Sequence, residues 1–216
     1  MEFVVLSSSR GTTFQSTIDR LAGGSLSATC RGLVTDREDR GCIAKAEAAN
    51  LPHRIVRRER GMDRASFDER IDAAIQSLTT DSRQVIVTCM GWMFVFSEMF
   101  VREYRNRILN VHPALLPKHG GKGMYGHHVH EAVLRSGDTE SGITIHQIDE
   151  GVDTGPILLQ KRCPVLPGDC PETLQARVQE LEKEWYPQLL QMIHDGRIPL
   201  LQKVADSLSA RTEKQA

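Results

Sequence analysis

Asn110, His112 and Asp153 are the side chains of this sequence whose types and neighbours suit chemistry at a carbonyl carbon. The first two sit in Asn110-Val111-His112-Pro113-Ala114-Leu115-Leu116-Pro117, and the third opens Asp153-Thr154-Gly155-Pro156. Each lies near prolines or glycines that restrict or redirect the backbone. An amide can donate to an oxyanion, an imidazole can move or share a proton, and a carboxylate can orient the imidazole or take a proton. Acyl transfer and hydrolysis both need that set. Residues two apart on a strand face the same side. A strand through Ile108-Leu109-Asn110-Val111 therefore delivers the amide and the imidazole to one space. The bland alternative is a satisfied buried polar pair. Asn and His are poor choices inside an apolar strand, which favours function. Asp149 and Glu150, beside Asp153, read as solvated turn residues.

The elements that must position these groups alternate along the chain. Strands are expected at Phe3 to Leu6, Gly32 to Val34, Ile55-Val56, Val85 to Cys89 and Ile108 to Val111, each a short apolar run bounded by polar or glycine-rich loops. Helices are expected between them. Thr12 or Thr13 caps the first, which carries Phe14, Ile18 and Leu21 and stops at Gly23-Gly24. Others run from about Cys42 to Ala49, through Phe67, Ile71, Ala74, Ile75 and Leu78, and from Ser97 to Tyr104. Alternating β and α units predict an α/β fold, a Rossmann-like and mostly parallel sheet with helices on both faces. After Pro117 the pattern changes. Gly120 to Gly126 reads as a mobile loop and candidate lid, and a helix spans about His128 to Leu134. Ile143 to Ile148 and Ile157 to Lys161 read as an antiparallel pair that extends the sheet. A long helix from about Pro171 to His194 follows, with Asp169 as its expected cap. The reading is one domain over 1–205 and a polar tail over 206–216.

Composition narrows the class. The 216 residues are 40% hydrophobic and 25% charged, with a formal net charge of -1. Such a chain can bury a full core, and it presents no global field to attract nucleic acid or an acidic membrane. Five cysteines occur in no C-x-x-C pair, which points to reduced core thiols and a cytoplasmic protein. No signal peptide or membrane-spanning run is read.

Three further groups invite a functional reading. Ser8-Ser9-Arg10-Gly11-Thr12-Thr13 follows a strand and opens a helix, where backbone N–H groups make an anion site. It lacks the lysine of a Walker loop and the dinucleotide glycine pattern. The alternative is an ordinary βα turn. His119, His127, His128 and His130 resemble a metal cluster, but no further ligand stands at suitable spacing, and surface histidines near an active-site loop are the better reading. Trp92, Met93, Phe94 and Phe96 suit either a pocket for a flat ring or the core.

The motif Asn110-x-His112-Pro113-x-Leu115-Leu116-Pro117, then Asp153-x-Gly155-Pro156, resembles the signature of the 10-formyltetrahydrofolate-dependent formyltransferases. The similarity runs from the first strand to Trp185-Tyr186-Pro187. It is greatest to the branch that formylates glycinamide ribonucleotide in purine synthesis. Gly11-Thr12-Thr13 stands where that branch usually has Gly-Ser-Asn, and Ala176-Arg177-Val178-Gln179-x-x-Glu182 resembles its stretch contacting phosphate and ribose. The resemblance implies Asn110, His112 and Asp153 as the catalytic residues. Gly11, Thr12, Thr13, Pro113, Gln179 and Glu182 would bind the amine substrate. Trp92, Met93, Phe94, Phe96, Val101, Ile148, Asp149 and Val152 would enclose the folate. It implies 10-formyltetrahydrofolate as co-substrate, no metal, small-molecule partners without nucleic acid or membrane, and a monomer or homodimer. Thr13 replaces the usual asparagine, Phe94 stands where many members have arginine, and Gly120 to Gly126 is longer than the shortest members carry. The alternatives are another amine acceptor, such as a sugar nucleotide, or water, as in a formyltetrahydrofolate hydrolase. The transfer-RNA enzymes carry a further C-terminal domain that this sequence has no residues for. A binding module without catalysis has no need of all three groups.

Overall fold

A sheet of seven strands in the order β3-β2-β1-β4-β5-β6-β7 organises the computed structural model, which describes residues 1–200. The expected polar tail lies outside the described residues. The strands are β1 (Glu2–Leu6), β2 (Thr29–Thr35), β3 (His53–Ile55), β4 (Ile86–Cys89), β5 (Ile108–His112), β6 (Glu140–Gln147) and β7 (Ile157–Pro164). Between and after them come α1 (Thr12–Ala22), α2 (Gly41–Ala48), α3 (Arg64–Gln76), α4 (Glu98–Glu103), α5 (His127–Arg135) and α6 (Pro171–His194). Strands β1 to β5 are parallel, and β6 and β7 run antiparallel to their neighbours. The expected architecture and the antiparallel extension are both present.

The alternation of β1 explains why helices cover both faces. Phe3 and Val5 point into a core with Phe14 of α1, Ala46 of α2, Val133 of α5 and Leu189 of α6. Val4 and Leu6 point into a second core with Phe67 and Ile71 of α3 and Phe100 of α4. Successive side chains of a strand alternate sides, so an unbroken apolar run fits only a strand buried on both faces. Burying each large apolar side chain contributes about 1.5–3 kcal/mol, which is why the center of the sheet tolerates no polar run.

Chain order reverses direction at β1 and β4. From β1 the chain builds outward to β2 and β3, then returns to place β4 on the other side of β1. The two loops leaving these neighbours diverge and open a crevice at the carboxyl edge of the sheet. They also touch. Ser8 N–H donates to the Gly91 carbonyl at 2.9 Å, and Gly91 has a φ of 78. A Cβ there would stand 2.8 Å from Ser9 Oγ, so both the conformation and the space require glycine.

Two expected caps are corrected. The N-cap of α1 is Gly11, in the left-handed conformation with φ 76, and no hydroxyl caps that helix. The N-cap of α6 is Cys170, not Asp169. Asp169 instead pairs with Arg177 at 2.6 Å and accepts from Thr173 Oγ1 at 2.8 Å. A carboxylate with a guanidinium nearly two turns inside the helix is satisfied more strongly by that charge than by two backbone N–H groups. Cysteines 42, 89 and 163 are buried as expected, whereas Cys170 is exposed, because a helix cap faces solvent. No helix of the described residues is long and apolar enough to cross a membrane.

Candidate active site

Asn110 and His112 stand at the carboxyl end of β5, on the same side of the strand as Ile108. Leu109 and Val111 face the opposite core. β6 pairs antiparallel with β5 and sets Asn110 opposite His146 and His112 opposite Thr144. Antiparallel partners hold their side chains close on one face. A second histidine is thereby brought to the pair. Asn110 Nδ2 is 3.3 Å from His146 Nε2, and His146 Nδ1 is 3.0 Å from the Gln147 carbonyl. A carbonyl has no proton to give, so Nδ1 of His146 carries one, and in the neutral ring Nε2 accepts from the amide. An amide nitrogen has two N–H groups, which leaves one of Asn110's for a ligand.

Asp153 closes the cluster from the loop between β6 and β7. It adopts a left-handed φ of 57, a conformation that Asp tolerates better than most residues. Its Oδ2 lies 3.4 Å from His112 Nδ1 and accepts from Gly121 N–H at 3.0 Å, and its Oδ1 lies 3.6 Å from His146 Nε2. On the far side of the ring, His112 Nε2 donates to the His119 carbonyl at 2.8 Å. The ring is thus oriented with Nδ1 toward the carboxylate.

The electrostatics follow from burial and charge. Burial lowers the proton affinity of His112, which is 3% exposed, and the Asp153 charge acts against that without reversing it. Burial alone would raise the Asp153 carboxyl. Donation from His146 and His112 when either ring is protonated, together with the Gly121 N–H, outweighs it and holds Asp153 below the ordinary carboxylate range. An added negative charge on a ligand would favour the imidazolium form of His112.

This cluster lines a cavity of about 450 Å³. Of the residues expected to bind, Thr12, Thr13, Pro113, Gln179, Glu182, Trp92, Met93, Phe94, Phe96, Val101, Ile148, Asp149 and Val152 all line it, together with Asn110, His112 and Asp153. Gly11 does not. It is buried beneath the loop, where a Cβ would meet Cys42 at 2.9 Å, and its N–H donates to Ser9 Oγ at 3.0 Å. Glu182 of α6 accepts from Thr13 Oγ1 at 3.1 Å, and burial pushes its carboxyl up to about 7, against the pull of that hydroxyl. Another part of the lining is aromatic. Phe67 and Trp92 stack at 6.2 Å, and Trp92 meets Phe94 at 5.2 Å and Phe96 at 6.3 Å.

The four-histidine group disperses. His119 pairs with Asp138 at 2.7 Å, while His127 and His128 each face Glu131. His130 is not a surface residue. It is 2% exposed, lines the cavity, and burial pushes it down to about 4. Its Nδ1, like Trp92 Nε1, has no hydrogen-bond partner among the described residues. Sequence reasoning did not assign His146, His130 or Gln175 to the cavity, whereas Ser9, which also lines it, belongs to the loop read as an anion site. His146 carried the same signal as His112, a histidine inside an apolar strand. Asp149 behaves as the expected turn residue, accepting from Gly151 N–H at 3.0 Å and Thr154 Oγ1 at 2.6 Å, and still borders the cavity. The loop expected as a lid contributes Gly121 to Gly126 to the wall.

Comparison with known proteins agrees with this fold. A family model described as formyl transferase matches residues 1–190. A phosphoribosylglycinamide formyltransferase of Haemophilus influenzae is 30% identical over 94% of this chain and 92% of its own. The crystal structure of glycinamide ribonucleotide transformylase 1 from Symbiobacterium toebii superposes with a TM-score of 0.83 at 29% identity, over 91% of this chain and 89% of that one. The phosphoribosylglycinamide formyltransferase of Brucella melitensis superposes with a TM-score of 0.78 at 34% identity, over 89% and 94%. The match of a carbonyl-chemistry cluster, a crevice at the strand reversal and near full-length similarity has one consequence: the chain belongs to the formyl transferase family.

Proposed function

We propose that this protein transfers the formyl group of 10-formyltetrahydrofolate to the amine of glycinamide ribonucleotide. The observation that carries the reading is the convergence of Asn110, His112, His146 and Asp153 on a cavity whose lining also includes the aromatic segment Trp92 to Phe96. The names of the relatives support the acceptor.

In this reading the pteridine lies against Trp92, Phe94, Phe96 and Val101, and the amine substrate lies along Thr12, Thr13, Gln179 and Glu182. The amine nitrogen attacks the formyl carbon, a C–N bond forms, and the carbonyl π electrons move to oxygen. The free N–H of Asn110 and the Nδ1–H of His112 in its imidazolium form donate to that oxygen. Both contacts strengthen as negative charge develops there, which is the condition for lowering the barrier. Asp153 holds the imidazolium and takes the proton that the attacking amine must lose, directly or through water. Collapse returns the electrons to the carbonyl and breaks the bond to the folate nitrogen, which leaves with a proton. Every step uses side-chain proton transfer and hydrogen bonding, without a metal.

The test is to mix the purified protein with both substrates and follow tetrahydrofolate release. Release that requires the amine supports the transferase. Release in its absence identifies water as the acceptor. Folate binding without release for this amine directs the search to other amines, including sugar nucleotides.

A further inference from the structure

The carbonyl that orients His112 belongs to a residue in an unfavourable backbone conformation. His119 has a φ of 56, a left-handed conformation uncommon for residues other than glycine, though histidine enters it more readily than most. Side-chain contacts hold it there. Asp138, in the turn between α5 and β6, stands 2.7 Å from His119 Nε2 through Oδ2 and forms a close pair with Lys118 through Oδ1. Ser136 Oγ lies 3.4 Å from the same His119 nitrogen. The Lys118 and His119 contacts hold the Asp138 carboxyl below its ordinary range, so it is the charged form that clamps the loop. None of Lys118, His119 and Asp138 lines the catalytic cavity. All three line a second cavity of about 330 Å³ on the other side of this loop.

We propose that Asp138 is a positioning residue for His112: it clamps the side chain of His119 so that the His119 carbonyl meets His112 Nε2 at 2.8 Å. The clamp fixes the ring orientation that turns Nδ1 toward Asp153 and the reacting carbonyl. Asp138 does this without touching either substrate. A carbonyl acceptor at Nε2 also favours the protonated ring. The other titratable groups that bear on His112 are Asp153, His146, His119 itself and His130, and the clamp leaves the first, second and fourth unchanged.

The kinetic arm of the test rests on the formyl-transfer reading, and the spectroscopic arm does not. In Asp138→Asn the clamp is weakened at nearly constant volume. The expected result is a kcat lower by about tenfold to a hundredfold, the scale of a small misplacement of a catalytic group, with KM for both substrates changed less than twofold. The histidine ¹⁵N resonances of His112, followed against pH, should titrate at lower pH than in the parent. His119→Asn, which tolerates the left-handed backbone but shortens the side chain, should produce the same two changes while leaving the Asp138 charge in place. The double variant should lose no more than either single one. Unchanged kcat and unchanged His112 titration in Asp138→Asn would overturn the proposal. So would additive losses in the double variant, or a lowered melting temperature with His112 titrating as before, which would mark Asp138 as structural only. Should the protein prove inactive toward every acceptor tried, the titration still decides the matter.

Discussion

The two walls of the cavity are built on opposite principles. One wall draws single polar side chains from many places: Thr13 from α1, Asn110 and His112 from β5, His146 from β6, Asp153 from a loop and Glu182 from α6. The other draws Trp92, Phe94 and Phe96 from one short segment after β4, packed upon Phe67 and Phe100. A polar wall must place donors and acceptors to a fraction of an ångström, and only rigid strands and helices meeting from several directions do that. An apolar wall needs area and shape, and one segment resting on a core suffices. The lesson is that polar placement and apolar contact area separate in this molecule, so substitutions in the two walls should fail in different ways.

The largest expected effect tests the polar wall. Asn110→Ala, His112→Ala and Asp153→Ala should each lower kcat by about 10² to 10³, with an unchanged far-ultraviolet circular dichroism spectrum. Turnover near that of the parent in any one would remove that residue from the mechanism. The aromatic wall should respond in stability and affinity instead. Trp92→Ala takes a largely buried ring out of a stack and should cost about 3 kcal/mol or more in denaturant unfolding, with weaker folate binding by calorimetry. If folate affinity were untouched, the aromatic wall would be core alone.

Two smaller predictions set groups of the cavity against each other through pH. His130 is pushed down to about 4 in the folded protein, against an ordinary value of about 6.5. Between those values the unfolded chain binds the proton and the folded one does not, so stability falls as pH drops through this window. At pH 5 the loss is about 2 kcal/mol, and His130→Gln should abolish that part of the difference between melts at pH 7.5 and pH 5. Glu182 has the opposite sign. Its carboxyl is raised to about 7, so its contribution is full at low pH and is lost as pH rises from the ordinary glutamate range through 7. Glu182→Gln should therefore melt higher than the parent at pH 8 and no higher at pH 4, while raising KM for the ribonucleotide. A Glu182→Gln melt that stays below the parent at both pH values would show that desolvation is not what shifts this group.

Short-range rules read the strands and helices well. The apolar runs of β1, β4 and β5 are buried on both faces, as short apolar runs between helices in a parallel sheet are. The span of α6 from Pro171 to His194 was legible because proline favours a first helical turn and the apolar residues recur at helical spacing. The caps were not. A threonine after Gly11 invites a side-chain cap, yet the chain turns through a left-handed glycine, because the loop must pass beside Cys42 of α2. Nothing local to residues 11–13 encodes that neighbour.

The same division runs through the site. The types and spacing of Asn110, His112 and Asp153 were enough to name a chemistry, since an oxyanion donor, a proton carrier and a carboxylate are properties of side chains. Their strand placement also followed, since the period of a strand puts Asn110 and His112 on one side. Two things waited for the assembled molecule. The register of β6 against β5 decided that His146 faces Asn110, and antiparallel register depends on the loop and the core around both strands, not on either strand alone. The packing of α5 decided that His130 is buried and weakly basic while His127 and His128, on the same short helix, face solvent. Proton affinity is set by what surrounds a group, and those surroundings come from segments far apart in the chain.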